Sequence, residues 1–135
     1  IMPGWVEMVE RAKNIVRKGK EANDQINILG DDGVPMSYHE IFWKSELIDF
    51  VILQQDAFDD IDSVSSMERQ EDIVNMVMDI CHAEFEFETF LDVMNFFKRV
   101  INVCKQINYS EYKSDKYKEF TKQREELVAT KKVKS

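Results

Sequence analysis

The apolar positions of the first 29 residues follow a regular spacing of three and four. Such a spacing predicts one long helix whose apolar seam faces a neighbouring helix. The seam consists of Trp5, Met8, Ala12, Ile15, Gly19, Ala22, Ile26 and Leu29. Because Gly19 and the alanines weaken such a seam, we expect packing along a neighbouring helix and not a strong autonomous coiled coil.

A turn and a second, more apolar helix follow this segment. Gly30 is a suitable C-terminal cap for the first helix, and Pro35 cannot continue it. Ser37 and Glu40 have the spacing of a capping box, which predicts a helix that opens at Ser37. Apolar residues then occupy nearly every face from position 41 to position 53. A helix that is apolar all round is buried among others, so this one should be central.

The remaining pattern predicts further helices. Ser65 and Glu68 form a second capping box before a third helix, and a short break at residues 83–86 precedes a fourth. The three-and-four spacing of the fourth helix runs through Phe87, Phe90, Met94, Phe97, Ile101 and Cys104. We therefore expect an all-α bundle of four to five helices over residues 1–110. Residues 111–135 carry eight basic and five acidic side chains and predict a charged, solvated helical tail.

Composition excludes several classes of protein. Only 4 Gly and 2 Pro in 135 residues are too few for the turns of a many-stranded β-protein. A net charge of −8 argues against nucleic acid as a partner, since phosphates need a basic face. No apolar run approaches the roughly 20 residues that span a bilayer. No signal peptide is visible and there are two cysteines, which favours a reducing compartment, and a first residue other than Met suggests an excised fragment.

No catalytic or metal-binding constellation is evident. His39 and His82 fall on different predicted helices, which favours structural or surface roles. Cys81 and Cys104 lie on apolar faces and are interpreted as small core residues. The acidic stretch at residues 56–62 does not match a calcium loop, because the fifth and sixth positions counted from Asp60 are Val64 and Ser65 where an oxygen ligand and a glycine are needed. No glycine-rich phosphate loop occurs. We therefore expect no metal site.

Three blocks of the sequence resemble one protein family. The segment Leu53-Gln54-Gln55-Asp56-Ala57-Phe58-Asp59-Asp60-Ile61-Asp62, followed by Glu68-Arg69-Gln70, is similar to a stretch of the catalytic A subunit of V/A-type rotary ATPases. Upstream, Gln25-Ile26-Asn27-Ile28-Leu29-Gly30-Asp31-Asp32-Gly33-Val34-Pro35 and the helix at residues 5–15 also resemble that family. The blocks follow the family's order and cover residues 5 to about 80.

The resemblance implies the C-terminal helical domain of that subunit, separated from its nucleotide-binding domain. The parent subunit would be an enzyme that hydrolyses or synthesises ATP, with ATP or ADP and Mg as its ligands. The catalytic residues lie outside this stretch, so we expect neither ATP hydrolysis nor a tightly bound cofactor here. The family's Gln-Gln-x-Ala-Phe turn reaches the adenine pocket. This implies that Phe58 and Ala57 pack against the base, with Gln54 and Gln55 close by; Asp56 stands where the family usually has Asn.

The resemblance also implies a mechanical role. The loop that contains Gly30, Asp31, Asp32, Gly33, Val34 and Pro35 corresponds in position to the helix-turn-helix with which such subunits push on the central stalk. The chain would then be a lever that couples ATP chemistry to stalk rotation and ion translocation. Its implied partners are its own nucleotide-binding domain, the non-catalytic B subunit and the central stalk. The location implied is the cytoplasmic face of the membrane, with no direct membrane contact.

Composition and periodicity alone fit a second hypothesis equally well. A free-standing helical adaptor could bind a partner helix through the seam at residues 5–29. A metal-binding bundle is a weaker alternative, because the Glu-x-x-His pairs of di-iron bundles are missing. The sequence does not indicate whether the coupled ion is a proton or sodium, or whether ATP is synthesised or hydrolysed.

Overall fold

Five α-helices make up most of the structure. The computed structural model describes residues 4–53, 64–110 and 113–131. The helices are α1 (Trp5–Leu29), α2 (Met36–Ile48), α3 (Val64–His82), α4 (Phe90–Tyr109) and α5 (Asp115–Lys131). A 3₁₀ turn (Asp31–Gly33) joins α1 to α2, and a π-helical turn (Asp49–Leu53) extends α2. No β-strand occurs in these ranges, so the prediction of an all-α bundle is confirmed.

The core forms around the C-terminal half of α2. Leu47, Ile48, Val51 and Ile52 are completely buried, which confirms that this apolar stretch is central. Each such side chain contributes about 1.5–3 kcal/mol through its removal from water. Side chains of α3 and α4 complete the core, namely Ile73, Val74, Val77, Met78, Ile80, Cys81, Val93, Phe96, Phe97, Val100, Ile101, Cys104 and Ile107.

Helix α1 lies against α2 through the predicted seam. Ala12, Gly19, Ala22 and Ile26 are buried, as the spacing predicts. A methyl group on Gly19 would overlap the side chain of Ser45 and lie 3.3 Å from the carbonyl oxygen of Ile41. The glycine therefore marks the closest approach of the two helices. Leu29 departs from the seam, because the chain turns away at Gly30 and leaves this side chain exposed.

The predicted capping box at the start of α2 is wrong. The helix begins at Met36, with Pro35 at the N-cap position and no side chain accepting a capping hydrogen bond. The N–H of Tyr38 donates to the carbonyl oxygen of Pro35 at 3.0 Å, which closes the first turn before Ser37 could cap it. The fixed φ of Pro35, −60°, thus determines where the helix starts. The corresponding cap at Ser65 involves side chains outside the described set; α3 begins at Val64.

The fourth helix begins later than its spacing predicts. The Oγ1 of Thr89 accepts a hydrogen bond from the Asp92 N–H at 3.2 Å and caps α4. Phe87 therefore precedes the helix, which corrects its assignment to the helical seam. Phe85 and Phe87 instead pack against the rings of Phe96 and Phe97, with centroid separations of 5.0–6.2 Å. The break thus extends over residues 83–89.

Helix α5 packs along α4 and is fastened at its end. Its half-buried apolar side chains contact the core, namely Tyr117, Phe120, Leu127 and Val128. The Nζ of Lys131 donates to the Oδ2 of Asp92 at 2.9 Å, and the Glu86 N–H donates to the carbonyl oxygen of Lys131 at 2.8 Å. The charged tail therefore forms the predicted helix, but the prediction that it is solvated is wrong for one face, which packs on the core, and the last turn is bonded to both α4 and the preceding break.

We predict that Gly19→Ala destabilises the fold, although alanine is normally the better helix former by about 0.5–1 kcal/mol. Overlap with Ser45 should lower the free energy of unfolding by about 1–3 kcal/mol, the usual cost of overpacking. Chemical denaturation followed by circular dichroism measures this change. Lys20→Ala, at an exposed position of the same helix, is the control. Combination with Ser45→Gly should restore stability; a loss that persists in the double variant would show that the overlap is not its cause.

We predict a pH-dependent contribution from the Lys131–Asp92 pair. The hydrogen bond from Lys131 is the main reason that the pKa of Asp92 lies below its ordinary value of 3.8. A lowered native pKa stabilises the fold above the unfolded value, and this stabilisation is lost as pH falls through the native pKa. Lys131→Met should therefore reduce the free energy of unfolding at neutral pH but not well below 3.8. Lys122→Met, at an exposed position of the same helix, is the control. An effect of equal size at both pH values would contradict the assignment.

Candidate functional site

The α1–α2 connection is a tight and exposed turn. We call residues 30–35 the tip turn. The Gly30 N–H donates to the carbonyl oxygen of Ile26 at 2.7 Å and ends α1, and the Gly33 N–H donates to the carbonyl oxygen of Gly30 at 3.0 Å. Val34 is extended, with φ −123° and ψ 155°, and leads into Pro35. The turn thus joins two helices that pack side by side.

Two glycines are required by this geometry. Gly30 has φ 86° and ψ 164°, a region of backbone conformation that is essentially restricted to glycine. Gly33 lies so close to α1 that a methyl group there would be 3.0 Å from the Cβ of Leu29. The first glycine turns the chain, and the second leaves room for Leu29. The sequence pattern correctly identified Gly30 as the end of the helix.

The side chain of a buried histidine, His39, forms a hydrogen bond with the backbone of the tip turn. The Nε2 of His39 lies 2.8 Å from the carbonyl oxygen of Asp31, which can only accept a hydrogen bond, so this nitrogen donates. The His39 ring stacks on Phe90 at a centroid separation of 5.2 Å. Because Phe90 is the first residue of α4, His39 connects the turn to the body of the bundle. Its role is structural, as predicted, and His82 lies exposed at the end of α3.

The predicted rotor-contact residues lie together at the surface. Residues 30–33 and Pro35 are exposed, and Val34 is half-buried. The last turn of α1 contains no basic residue, and Asp31 and Asp32 follow it directly. Because backbone carbonyls give a helix C-terminus a partial negative charge, the two carboxylates add to a potential that is already negative. The tip turn can therefore attract a cationic surface.

The predicted adenine-contact residues lie outside the described residues. Gln54, Gln55, Ala57 and Phe58 all fall in the range 54–63. The π-helical turn (Asp49–Leu53) that precedes them is described. Turns of this kind are rare in proteins overall, but a large share of them lie at functional sites. The adenine contact stays a prediction.

The described residues offer little other chemistry. Among them, no group of three or more His, Cys, Asp or Glu side chains could hold a metal ion. Burial raises the pKa of the Cys81 and Cys104 thiols to about 12, so both are unreactive core residues. No helix in the described ranges is both long and apolar enough to cross a membrane.

A cavity of about 830 Å³ lies between the N-terminal end of α2 and residues 85–88. Glu40, Glu86 and Glu88 line it together with Met36 and Lys131. Burial raises the pKa of Glu40, and the charge of Lys44 opposes this shift. Among the described residues that line the cavity, the titratable side chains are these three glutamates and Lys131.

Sequence reasoning missed two features of this end of the molecule. The sequence around His39 does not indicate that this side chain fixes the tip turn, because its hydrogen-bond partner is a backbone carbonyl eight residues away. The alternation of acidic and aromatic residues at positions 84–88 was a detectable signal of extended chain. It was interpreted only as a break between helices.

The chain is similar to curated proteins named V-type ATP synthase alpha chain. It is 36% identical to that of Chlamydia abortus and 34% identical to that of Chlamydia caviae, in each case over 116 residues. These residues make up 86% of this chain and 20% of each relative. The alpha chain of Borrelia duttonii is 31% identical over 127 residues, or 94% of this chain and 22% of the relative. The chain therefore spans about a fifth of the length of these relatives.

These similarities confirm the resemblance drawn from the sequence. This all-helical bundle thus corresponds to a domain-sized part of a rotary ATPase subunit. The family is that of the V-type ATP synthase alpha chain. No protein-family model matches the chain, and no solved structure matches it either.

We predict that His39→Leu loosens the tip turn while the bundle stays folded. The variant loses one hydrogen bond, so the free energy of unfolding should fall by about 1 kcal/mol. A protease that cuts before aspartate should cleave at Asp31 and Asp32 faster than in the parent chain. His82→Leu, at an exposed histidine, is the control. Unchanged cleavage in His39→Leu would show that the histidine does not hold the turn.

Proposed function

We propose that this chain acts as the C-terminal helical lever domain of a V-type ATP synthase alpha chain. Nucleotide binding and release in an adjoining domain would swing the bundle, and the tip turn would press on the central stalk. In this way the domain couples ATP hydrolysis or synthesis to stalk rotation and ion translocation. The single observation that carries the proposal is sequence identity of 31–36% to such alpha chains over 86–94% of this chain.

The α1–α2 pair has the mechanical properties that a lever requires. Helix α1 contains 25 residues, which corresponds to a length of roughly 37 Å. Ala12 and its neighbours Met8, Ile15 and Val16 join the main core, whereas Ala22 and Ile26 are buried outside it. The half of α1 nearest the tip turn is thus supported by α2 rather than by the core. Close packing at Gly19 and the His39 hydrogen bond keep this pair rigid.

The opposite end of α2 would receive the nucleotide signal. Phe58 and Ala57 would pack against adenine, with Gln54 and Gln55 as polar neighbours. An aromatic side chain stacked on a base is worth about 1–3 kcal/mol. The π-helical turn (Asp49–Leu53) connects this segment directly to α2. A displacement at the nucleotide would therefore pass along one helix towards the tip turn.

The partners and location follow from this role. The domain would contact its own nucleotide-binding domain, the non-catalytic B subunit and the central stalk. The complex would lie on the cytoplasmic face of the membrane. The burial of Ala12, Ala22 and Ile26 within the bundle weighs against the adaptor hypothesis, which assigns these seam residues to a partner helix.

Replacement of residues 30–35 by a flexible Gly-Ser hexapeptide tests the proposal. The variant is made in the full-length alpha chain and assembled with its complex in sealed vesicles. ATP hydrolysis should persist, because the catalytic residues lie elsewhere, whereas the number of ions pumped per ATP should fall. The matched control removes two exposed acids at the opposite end of α1, by Glu7→Gln with Glu10→Gln. Unchanged ion pumping per ATP in the hexapeptide variant would contradict the lever function.

A further inference from the structure

Two consecutive large aliphatic side chains are exposed beside the tip turn. Ile28 is 73% exposed and Leu29 is 56% exposed, both in the last turn of α1. Exposed aliphatic side chains that lie next to each other are characteristic of interaction sites, whereas isolated ones are ordinary. All other residues in the half of α1 nearest the tip turn are either polar or buried against α2. The pair has no packing role that the described residues reveal.

The charge around the aliphatic pair restricts what can cover it. Asp31 and Asp32 adjoin it, and the C-terminal end of α1 adds its own partial negative charge. No basic residue lies in the last turn of α1 to offset that charge. An anionic lipid surface or a nucleic acid would be repelled at this position. A protein surface that combines aliphatic and cationic side chains is complementary to it.

The backbone that carries the aliphatic pair is ordered before any partner binds, because both residues belong to α1. Gly33 leaves the space that Leu29 occupies, since a methyl group there would lie 3.0 Å from the Leu29 Cβ. The Gly30 N–H and the His39 side chain fix the backbone that follows. A surface that is already ordered loses less conformational entropy when it binds. Ile28 and Leu29 can therefore serve as interface anchors rather than as flexible contacts.

We propose that Ile28 and Leu29 anchor the tip turn on a partner helix. That helix would present a strip of aliphatic side chains bordered by lysine or arginine residues, which face Asp31 and Asp32. The inference rests on the proposed function for the location of this helix in the central stalk. The proposed function places the contact with the central stalk at the tip turn, whereas this inference places the main contact at the end of α1.

A photo-reactive amino acid at Asn27 tests this proposal in the assembled complex of the full-length alpha chain. Asn27 is exposed in the same helical turn as the aliphatic pair. We expect light-induced crosslinks to a helix of the central stalk, at aliphatic residues beside lysine or arginine. The same probe at Val6, which is 73% exposed at the other end of α1, is the control and should not reach that helix.

Substitutions then separate the two parts of the interface. Ile28→Ser with Leu29→Ser should lower the crosslink yield from Asn27 by about tenfold, as expected for the loss of interface anchors. Asp31→Asn with Asp32→Asn should lower it less, because exposed ion pairs are weak. Crosslinks to the stalk that survive the serine substitutions would overturn the anchor assignment and leave the lever function intact. Crosslinks to lipid, or to no stalk subunit, would overturn both.

Discussion

The close packing of α1 on α2 at Gly19 is the constraint on which the rest of this end of the molecule depends. Only a residue without a side chain lets α1 approach the Ser45 side chain and the Ile41 carbonyl so closely. This approach buries Ala22 and Ile26 although neither belongs to the main core. Two helices that would be marginal alone thereby become one stiff pair. The tip turn, its histidine support and the exposed aliphatic pair all have fixed positions because this pair is stiff.

The bundle is built asymmetrically around α2. At its C-terminal end α2 is surrounded by α3 and α4, and Leu47, Ile48, Val51 and Ile52 are completely buried. Near its N-terminal end His39 contacts both the tip turn and the first residue of α4. One helix therefore connects the apolar centre to the exposed turn. Such a construction would suit the lever role that we propose, in which a displacement passes between distant sites.

Much of this fold could be predicted from the sequence, because helical periodicity records which face of a helix is covered. The seam through Ala12, Ala22 and Ile26 and the burial of residues 47–52 were predictable for that reason. Periodicity does not record where contact ends, so Leu29 was assigned to the seam although it is exposed. The predicted start of α2 at Ser37 is wrong, because Pro35 determines the first turn of the helix. Likewise, Gly19 was interpreted as a weakness of the seam, whereas close approach requires it.

The structure of the candidate site was predictable only in part, because its turn follows from a short motif whereas its support by His39 depends on packing between distant parts of the chain. The residues of the tip turn were identified by resemblance and lie together at the surface. Hydrogen–deuterium exchange of the backbone amides of residues 28–34 would show whether this turn meets a partner. We predict slower exchange in the assembled complex than in the free full-length alpha chain. Equal exchange in both states, with new protection elsewhere on the bundle, would contradict it.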